Sequence, residues 1–324
     1  MAVYTEVSDE ELTNFIAGYA IGEVCSFKGI AEGVENSNYL LNTNLGSYIL
    51  TLYEKRVNSH DLPFFLGLMD HLAVRGVSCP TPVLNLKGQL MGQLCGRNAA
   101  IISFLDGMWV RKPSPHHCAG LGEAMANLHL AGADFQIDRP NALSVQSWRK
   151  TLEASGARVD ELKMGLRKAL LEELDDLEEN WPKLVSGLPS GIIHADLFPD
   201  NVFFNANKLS GLIDFYFACN DVFAYDVAIC LNAWCFEEDG TFNTKKAQFL
   251  LGAYRNVRVF TEGELIALPL LARGSAMRFL VTRLYDWLNT PKNAMVTLKD
   301  PMEFFRKLEF HKTVKSFDAY GVIF

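Results

Sequence analysis

The hydrophobic pattern of this chain shifts at Asp106-Gly107 from mainly strand-like to mainly helical, and that switch limits the possible folds more than any other feature. Before it, short apolar runs alternate with turn residues, as strands do. After it, apolar residues recur at steps of three and four, as they do along one face of a helix. At 324 residues the chain also exceeds the ~250 to 300 residues that one hydrophobic core usually serves. The pattern therefore predicts two lobes, 1–107 with sheet and 108–324 mostly helical, joined by a hinge at about 103–107.

Local signals fill in that outline. Ser8-Asp9-Glu10-Glu11 is a Ser-x-x-Glu capping box, and Leu12, Phe15, Ile16 and Tyr19 follow at helical spacing, so a helix begins near Ser8. Residues 26–31, 37–42 and 47–53 read as strands of a small antiparallel sheet, punctuated by Gly33 with Glu35-Asn36 and by Asn44-Leu45-Gly46. Residues 60–75 place Leu62, Phe65, Leu66, Met69 and Leu72 on one side and stop at Gly76, as helices often do. Leu90-Met91 and 99–105 return to strand. Beyond the switch, 117–131 and 157–181 read as amphipathic helices, 192–213 breaks into short apolar pieces around polar clusters, and 224–281 is again helical. There is no internal repeat and no low-complexity tract.

Charge and composition exclude several functions. Thirty basic residues face 38 acidic ones, a net charge of −8, which leaves no excess of cations to neutralise a nucleic-acid backbone. The apolar stretch 265–280 is interrupted by Arg273 and Arg278, and no unbroken run reaches the ~20 residues of a membrane span. The N-terminus, with Glu6, Asp9, Glu10 and Glu11, lacks the layout of a signal peptide. Seven scattered cysteines without CxxC spacing read as reduced thiols. A cytosolic protein without nucleic-acid or membrane partners is expected.

The chemistry concentrates in His194-Ala195-Asp196-Leu197-Phe198-Pro199-Asp200-Asn201, followed by Leu212-Ile213-Asp214-Phe215. Phosphoryl transfer to an alcohol needs a carboxylate to accept the hydroxyl proton and oxygen ligands for magnesium on the nucleotide phosphates. In this layout Asp196 is the base, and Asn201 and Asp214 are the magnesium ligands.

This loop resembles the catalytic loop of the aminoglycoside phosphotransferase and choline kinase superfamily, and Ile213-Asp214-Phe215 resembles its metal loop. The likeness extends to Ala2-Val3-Tyr4-Thr5, to residues 33–39, to Leu121-Gly122-Glu123-Ala124 with Leu128-His129, and to Arg278-Phe279-Leu280 with residues 283–287. Together these are similar to the bacterial homoserine kinase branch, in threonine biosynthesis.

The resemblance implies an α+β, two-lobed protein-kinase-like fold with ATP and Mg2+ as cofactors and L-homoserine as the acceptor. It places Asn36, Ser37 and Asn38 at the hairpin that covers the phosphates, and Ser103 and Leu105 at the hinge that meets adenine. His194 supports the catalytic loop, and Asp226 resembles the helix aspartate that holds it. Ala195 stands where regulated protein kinases carry arginine, so control by phosphorylation is not expected. Thr51 occupies the position that usually presents a cation to the phosphates; Lys55 or Arg56 would have to reach inward instead, or both are solvated. An acceptor with an ammonium and a carboxylate calls for a carboxylate and a cation, for which Asp221, Arg278 and Arg283 are the candidates.

Three rivals remain on residue types alone. Choline, ethanolamine, methylthioribose or an aminoglycoside is an alternative acceptor, since the catalytic loop does not separate them. The cation missing at Thr51 allows a nucleotide-binding pseudokinase that serves as an interaction module. A metallohydrolase using His194, Asp196 and Asp214 is disfavoured, because no second histidine pairs with His194 at helix or strand spacing.

Overall fold

A computed structural model describes residues 5–30, 36–54, 58–291 and 298–321. The chain divides into two units, Met1–Gly107 with Ser210–Ile213, and Met108–Leu209 with Asp214–Phe324.

The first unit opens with helix α1 (Asp9–Ile16), started by the expected capping box: the Glu11 N–H donates to Ser8 Oγ and the Ser8 N–H to Glu11 Oε2. Its sheet contains β1 (Val24–Gly29), β2 (Ser37–Thr43), β3 (Gly46–Leu52), β4 (Gly92–Leu94) and β5 (Arg97–Ser103), in the antiparallel order β1-β2-β3-β5-β4. Strand β2 buries Ser37, Tyr39, Leu41 and Thr43 alternately, so a single face meets the core. That core joins Leu12 and Ile16 of α1 to Leu41, Leu50 and Ile101 of the sheet. Helix α2 (Leu62–Val74) ends before Gly76, whose φ of +84° suits glycine. The strand read at Leu90-Met91 lies slightly later, as β4. Ser210–Ile213 belongs with this unit although it lies far along the chain: the Leu212 N–H donates to Ser78 O at 2.9 Å. A Cβ at Gly211 would come within 2.7 Å of both Ser78 O and Leu105 Cδ2, so the approach requires glycine.

The second unit holds α3 (Pro115–Ala131), α4 (Val145–Ser155), α5 (Leu166–Val185), α6 (Phe223–Trp234), α7 (Thr244–Val257), α8 (Glu262–Asn289) and α9 (Pro301–Thr313). Among them run β6 (Ser190–Ile193), β7 (Val202–Asn205) and β9 (Cys219–Val222), with β6 paired to β9; β8 (Lys208–Leu212), whose first two residues belong to this unit and the rest to the first, pairs with β7. The helix expected over 157–181 is not continuous. A 3-10 turn covers Gly156–Glu161, Gly165 takes a left-handed φ of +77°, and α5 starts only at Leu166. Helix α4 was not anticipated, because its apolar face amounts to little more than Val145, Trp148 and Leu152.

Helix α8 is long and apolar enough, by length and composition, to cross a membrane, yet 83% of that stretch is buried inside the protein. Its charges are accommodated there: Arg273 reaches Glu173 and Asp176, each at 2.6 Å. The helix packs on α4, α5, α6 and α9. At Gly274 a Cβ would stand 2.2 Å from the Trp181 ring, which is why this position of α8 carries no side chain.

Candidate active site

Strand β6 delivers His194-Ala195-Asp196 to its end, where the chain turns sharply. Ala195 has φ +62°, the left-handed region that costs an L-residue roughly 1–2 kcal/mol. The backbone here is held from several directions. Asp226 on α6 accepts the His194 N–H through Oδ2 and the Ala195 N–H through Oδ1, both at 2.9 Å. Arg278 Nη1 on α8 donates to Ala195 O at 2.7 Å, and Trp234 Nε1 donates to Leu197 O at 2.7 Å. The Phe198 N–H closes the turn on Asp196 O at 2.8 Å. A loop whose polar groups are so fully engaged is rigid.

Asn201 ends a 3-10 turn (Pro199–Asn201), and its Nδ2 donates to Asp196 O at 2.8 Å and Asp196 Oδ2 at 3.0 Å. The amide nitrogen is thereby committed, which leaves Oδ1 as the group that can face a cation. Asp214 is exposed and opens the turn Phe215–Phe217 with φ +65°. Left-handed non-glycine residues are few among the described residues, and two of the four, Ala195 and Asp214, stand at this site. The Asn201 carbonyl oxygen and the Asp214 carboxylate are hard oxygen donors, a set that fits magnesium.

Electrostatics divide the carboxylates. Burial pushes the Asp196 carboxyl up to about 8; Arg278 and Lys299 oppose the rise, while Asp214 and Asp200 add to it. Burial also raises Asp226, but hydrogen bonds from His129 and from the loop backbone outweigh it and hold this carboxyl below the ordinary range. His129, on α3, is lowered by its own burial, so the neutral imidazole donates Nε2–H to Asp226 Oδ2 at 3.1 Å and accepts from the Tyr254 hydroxyl at 2.8 Å. Arg258 donates to the same hydroxyl at 3.2 Å and pairs with Glu264 at 2.9 Å, tying α7 and the start of α8 to the loop.

The remaining expected residues separate. His194 is buried, its ring 4.7 Å from that of Phe215. Asp221 lies on β9 opposite Gly191, accepts from Asn141 Nδ2 at 2.7 Å, and is raised by burial. Arg278 is 2% exposed against the catalytic loop. Arg283 is elsewhere: it pairs with Glu303 on α9 at 2.7 Å and lies 4.4 Å from the Phe304 ring centroid. A spacing of five residues turns two helix side chains roughly 140° apart, so the two arginines cannot share a face.

In the first unit, Asn36 Oδ1 accepts from the Glu54 N–H, Ser37 Oγ donates to Glu54 Oε1 at 2.7 Å, and both residues are buried. Asn38 sits opposite Thr51, whose hydroxyl donates to Asn38 Oδ1 at 2.8 Å. The Ser103 hydroxyl accepts from the Thr81 N–H, and Leu105 packs on Gly211. Lys55, Arg56 and Gly33, and the match at 2–4, lie outside the described residues. The first unit does contain an ion pair that the sequence did not suggest, Arg97 with Glu54 at 3.2 Å. His129 and Trp234 were likewise missed as loop supports. In the sequence, His129 figures only as part of the family likeness, and Trp234 has no signal beyond a polar edge on an otherwise apolar helix.

The pattern of the phosphotransferase enzyme family matches residues 26–260. The chain is 59% identical to the homoserine kinase of Rhizobium meliloti (strain 1021), covering 99% of this chain and 98% of that protein. It is 61% identical to the homoserine kinase of Paramagnetospirillum magneticum (strain ATCC 700264 / AMB-1), covering 99% and 100%. Among solved structures, an amicoumacin kinase in complex with AMP-PNP, Ca2+ and Ami superposes with a TM-score of 0.73 at 17% identity, over 96% of this chain and 95% of that one. A spectinomycin phosphotransferase in complex with ADP and spectinomycin gives 0.68 at 15% identity, over 98% of each. These two likenesses establish the α+β kinase-like fold.

Proposed function

The chain belongs to the phosphotransferase enzyme family, and from that membership we propose that it transfers the γ-phosphoryl group of ATP to the hydroxyl of L-homoserine, giving O-phosphohomoserine and ADP. The observation that carries the acceptor is identity of about 60% over the full length to proteins called homoserine kinase. The place of such an enzyme is the cytosolic route to threonine.

The chemistry follows from the loop. The acceptor oxygen attacks the γ-phosphorus, the bond to the β,γ-bridging oxygen breaks, and the hydroxyl proton passes to Asp196. Asn201, through Oδ1, and Asp214 would hold magnesium, which would supply positive charge beside the phosphates and favour the ionised form of Asp196. Asn201 keeps the base aimed, and Asp226 with His194 keeps the loop's backbone fixed. Asp221 is the carboxylate for the acceptor's ammonium group. On the nucleotide side, Thr51 engages Asn38 Oδ1, so the Asn38 Nδ2 group is the donor left for a phosphate oxygen. The backbone at 36–38 and at Leu105 completes the nucleotide contacts, since the Ser103 and Phe104 N–H groups already donate to Thr81 O and Ser47 O.

The test is to identify the product of purified protein with MgATP and homoserine by mass spectrometry and phosphorus NMR. Choline, ethanolamine, methylthioribose and an aminoglycoside are run beside it. O-phosphohomoserine as the preferred product supports the reading. Faster turnover of another alcohol replaces the acceptor, and nucleotide binding without turnover of any of them replaces the enzyme with a binding module.

A further inference from the structure

We propose that Arg278 is a positioning residue for the transfer reaction: from α8 it fixes the carbonyl of Ala195, and through that peptide it aims Asp196. The proposal rests on Asp196 being the base.

The Ala195 backbone needs such an anchor. Its φ of +62° is a conformation an L-residue keeps only where its surroundings impose it, and alanine has no polar side chain with which to stabilise itself there. The residue is gripped on both sides: Asp226 holds the N–H of the 194–195 peptide, and Arg278 Nη1 holds the carbonyl of the 195–196 peptide at 2.7 Å. The peptide that Arg278 holds joins Ala195 to Asp196, so its plane sets the direction in which the Asp196 side chain leaves the chain.

Arg278 itself is placed poorly for stability and well for this task. It is 2% exposed, its Nε has no hydrogen-bond partner, and no carboxylate forms an ion pair with it among the described residues. Its guanidinium lies 4.5 Å from the Phe279 ring centroid and 5.8 Å from that of Phe217. A buried cation without a paired carboxylate is usually less favourable than an apolar side chain of similar size. What an apolar residue would lack at this position is the donor to Ala195. Arg278 is also within electrostatic reach of Asp196, whose ionised form it favours.

The test compares Arg278→Met, Arg278→Lys and each of these combined with Ala195→Gly, reading kcat, the KM for homoserine and for MgATP, and hydrogen exchange at the amides of residues 194 and 195. A base displaced by about 1 Å loses about 100-fold in rate, so Arg278→Met is expected to lower kcat by about 10- to 100-fold. The KM for homoserine should stay within about threefold. Lysine, which retains one donor, should recover part of the loss. Glycine adopts positive φ without strain, so Ala195→Gly should raise the kcat of Arg278→Met by about threefold or more. Exchange at 194 and 195 should quicken in Arg278→Met. A KM raised more than about tenfold at unchanged kcat would show instead that Arg278 holds the acceptor's carboxylate. Absence of recovery with glycine, or unchanged exchange, also overturns the proposal. If Arg278→Met does not fold, Arg278→Lys with and without Ala195→Gly makes the same comparison. Failure of the homoserine reading appears in the wild-type assay alone, whereas exchange at the two amides needs no acceptor.

Discussion

Asn201 holds Asp196 by two atoms at once, its Nδ2 lying 2.8 Å from the backbone oxygen and 3.0 Å from carboxylate Oδ2. Asp196 and Asn201 therefore move as one piece, and neither can turn without breaking a bond to the other. This coupling separates the roles of the three oxygen-bearing side chains at the site.

Replacing Asp196 with asparagine keeps the shape and removes the proton acceptor. Turnover should fall by about 100-fold or more, while affinity for MgATP stays within about threefold. Steady-state kinetics and calorimetric titration of the nucleotide measure the two quantities. A parallel loss of both would move Asp196 from chemistry to binding.

Asp214→Ala should act differently. The exposed carboxylate has no part in the loop's hydrogen bonds to Asp226, Arg278 or Trp234, so folding is retained while the magnesium concentration for half-maximal rate rises by about tenfold or more. Chelation should abolish turnover of the wild type, and added magnesium should restore it. A magnesium titration of both proteins gives the comparison.

Asp226→Ala strands two buried N–H groups and the imidazole of His129. Loss of about 3 kcal/mol of stability is expected, since unsatisfied buried donors cost about 1–3 kcal/mol each and some relaxation follows. Tyr254→Phe, which removes only the hydroxyl behind His129, should cost about 1 kcal/mol. Urea unfolding of the two variants distinguishes these magnitudes.

Acid should loosen the α8–α9 contact in a definite window. Burial pushes the Glu303 carboxyl up, but Lys307 and Arg283 overcome it and hold it at about 2. This value lies below the ~4.3 of an unfolded glutamate, so the stabilisation is complete above that pH and is lost as pH falls toward 2. Glu303→Gln should flatten the dependence of the urea midpoint on pH in that interval. At neutral pH, where that stabilisation is fully present, Glu303→Gln should lower the midpoint, though by less than for a fully buried pair because the carboxylate is partly exposed and screened.

Gly122→Ala tests the seam between α3 and α7. The added Cβ would stand 2.2 Å from Leu250 O, a backbone atom that cannot swing aside, so a loss of about 1–3 kcal/mol is expected. Thermal unfolding checks it, with Gly252→Ala, which meets nothing within 4 Å, as the control.

Much of the architecture was legible because it depends on local periodicity. The capping box at Ser8, the alternation along β2 and the apolar stripe of α3 each reflect geometry that a few neighbouring residues impose. The same reading joined 156–161 to α5, because leucine spacing carries no record of the left-handed backbone at Gly165. It passed over α4, whose buried face consists of a few residues that become a helix surface only against α5 and α8.

At the site, the sequence by itself determined the chemical inventory: Asp196, Asn201 and Asp214 fall within one short stretch, where loop length alone keeps them near each other. Tertiary structure decided what surrounds and aims them. Asp226, Trp234 and Arg278 reach the loop from helices 30 to more than 80 residues away, and His129 supports Asp226 from the opposite direction in sequence. Arg278 and Arg283, equivalent as letters, were separated by the helix's own rotation into a loop anchor and an α9 ion pair. Periodicity specifies which face of an element is buried, but which distant donor meets a given carbonyl depends on how whole helices pack, and no local spacing encodes that.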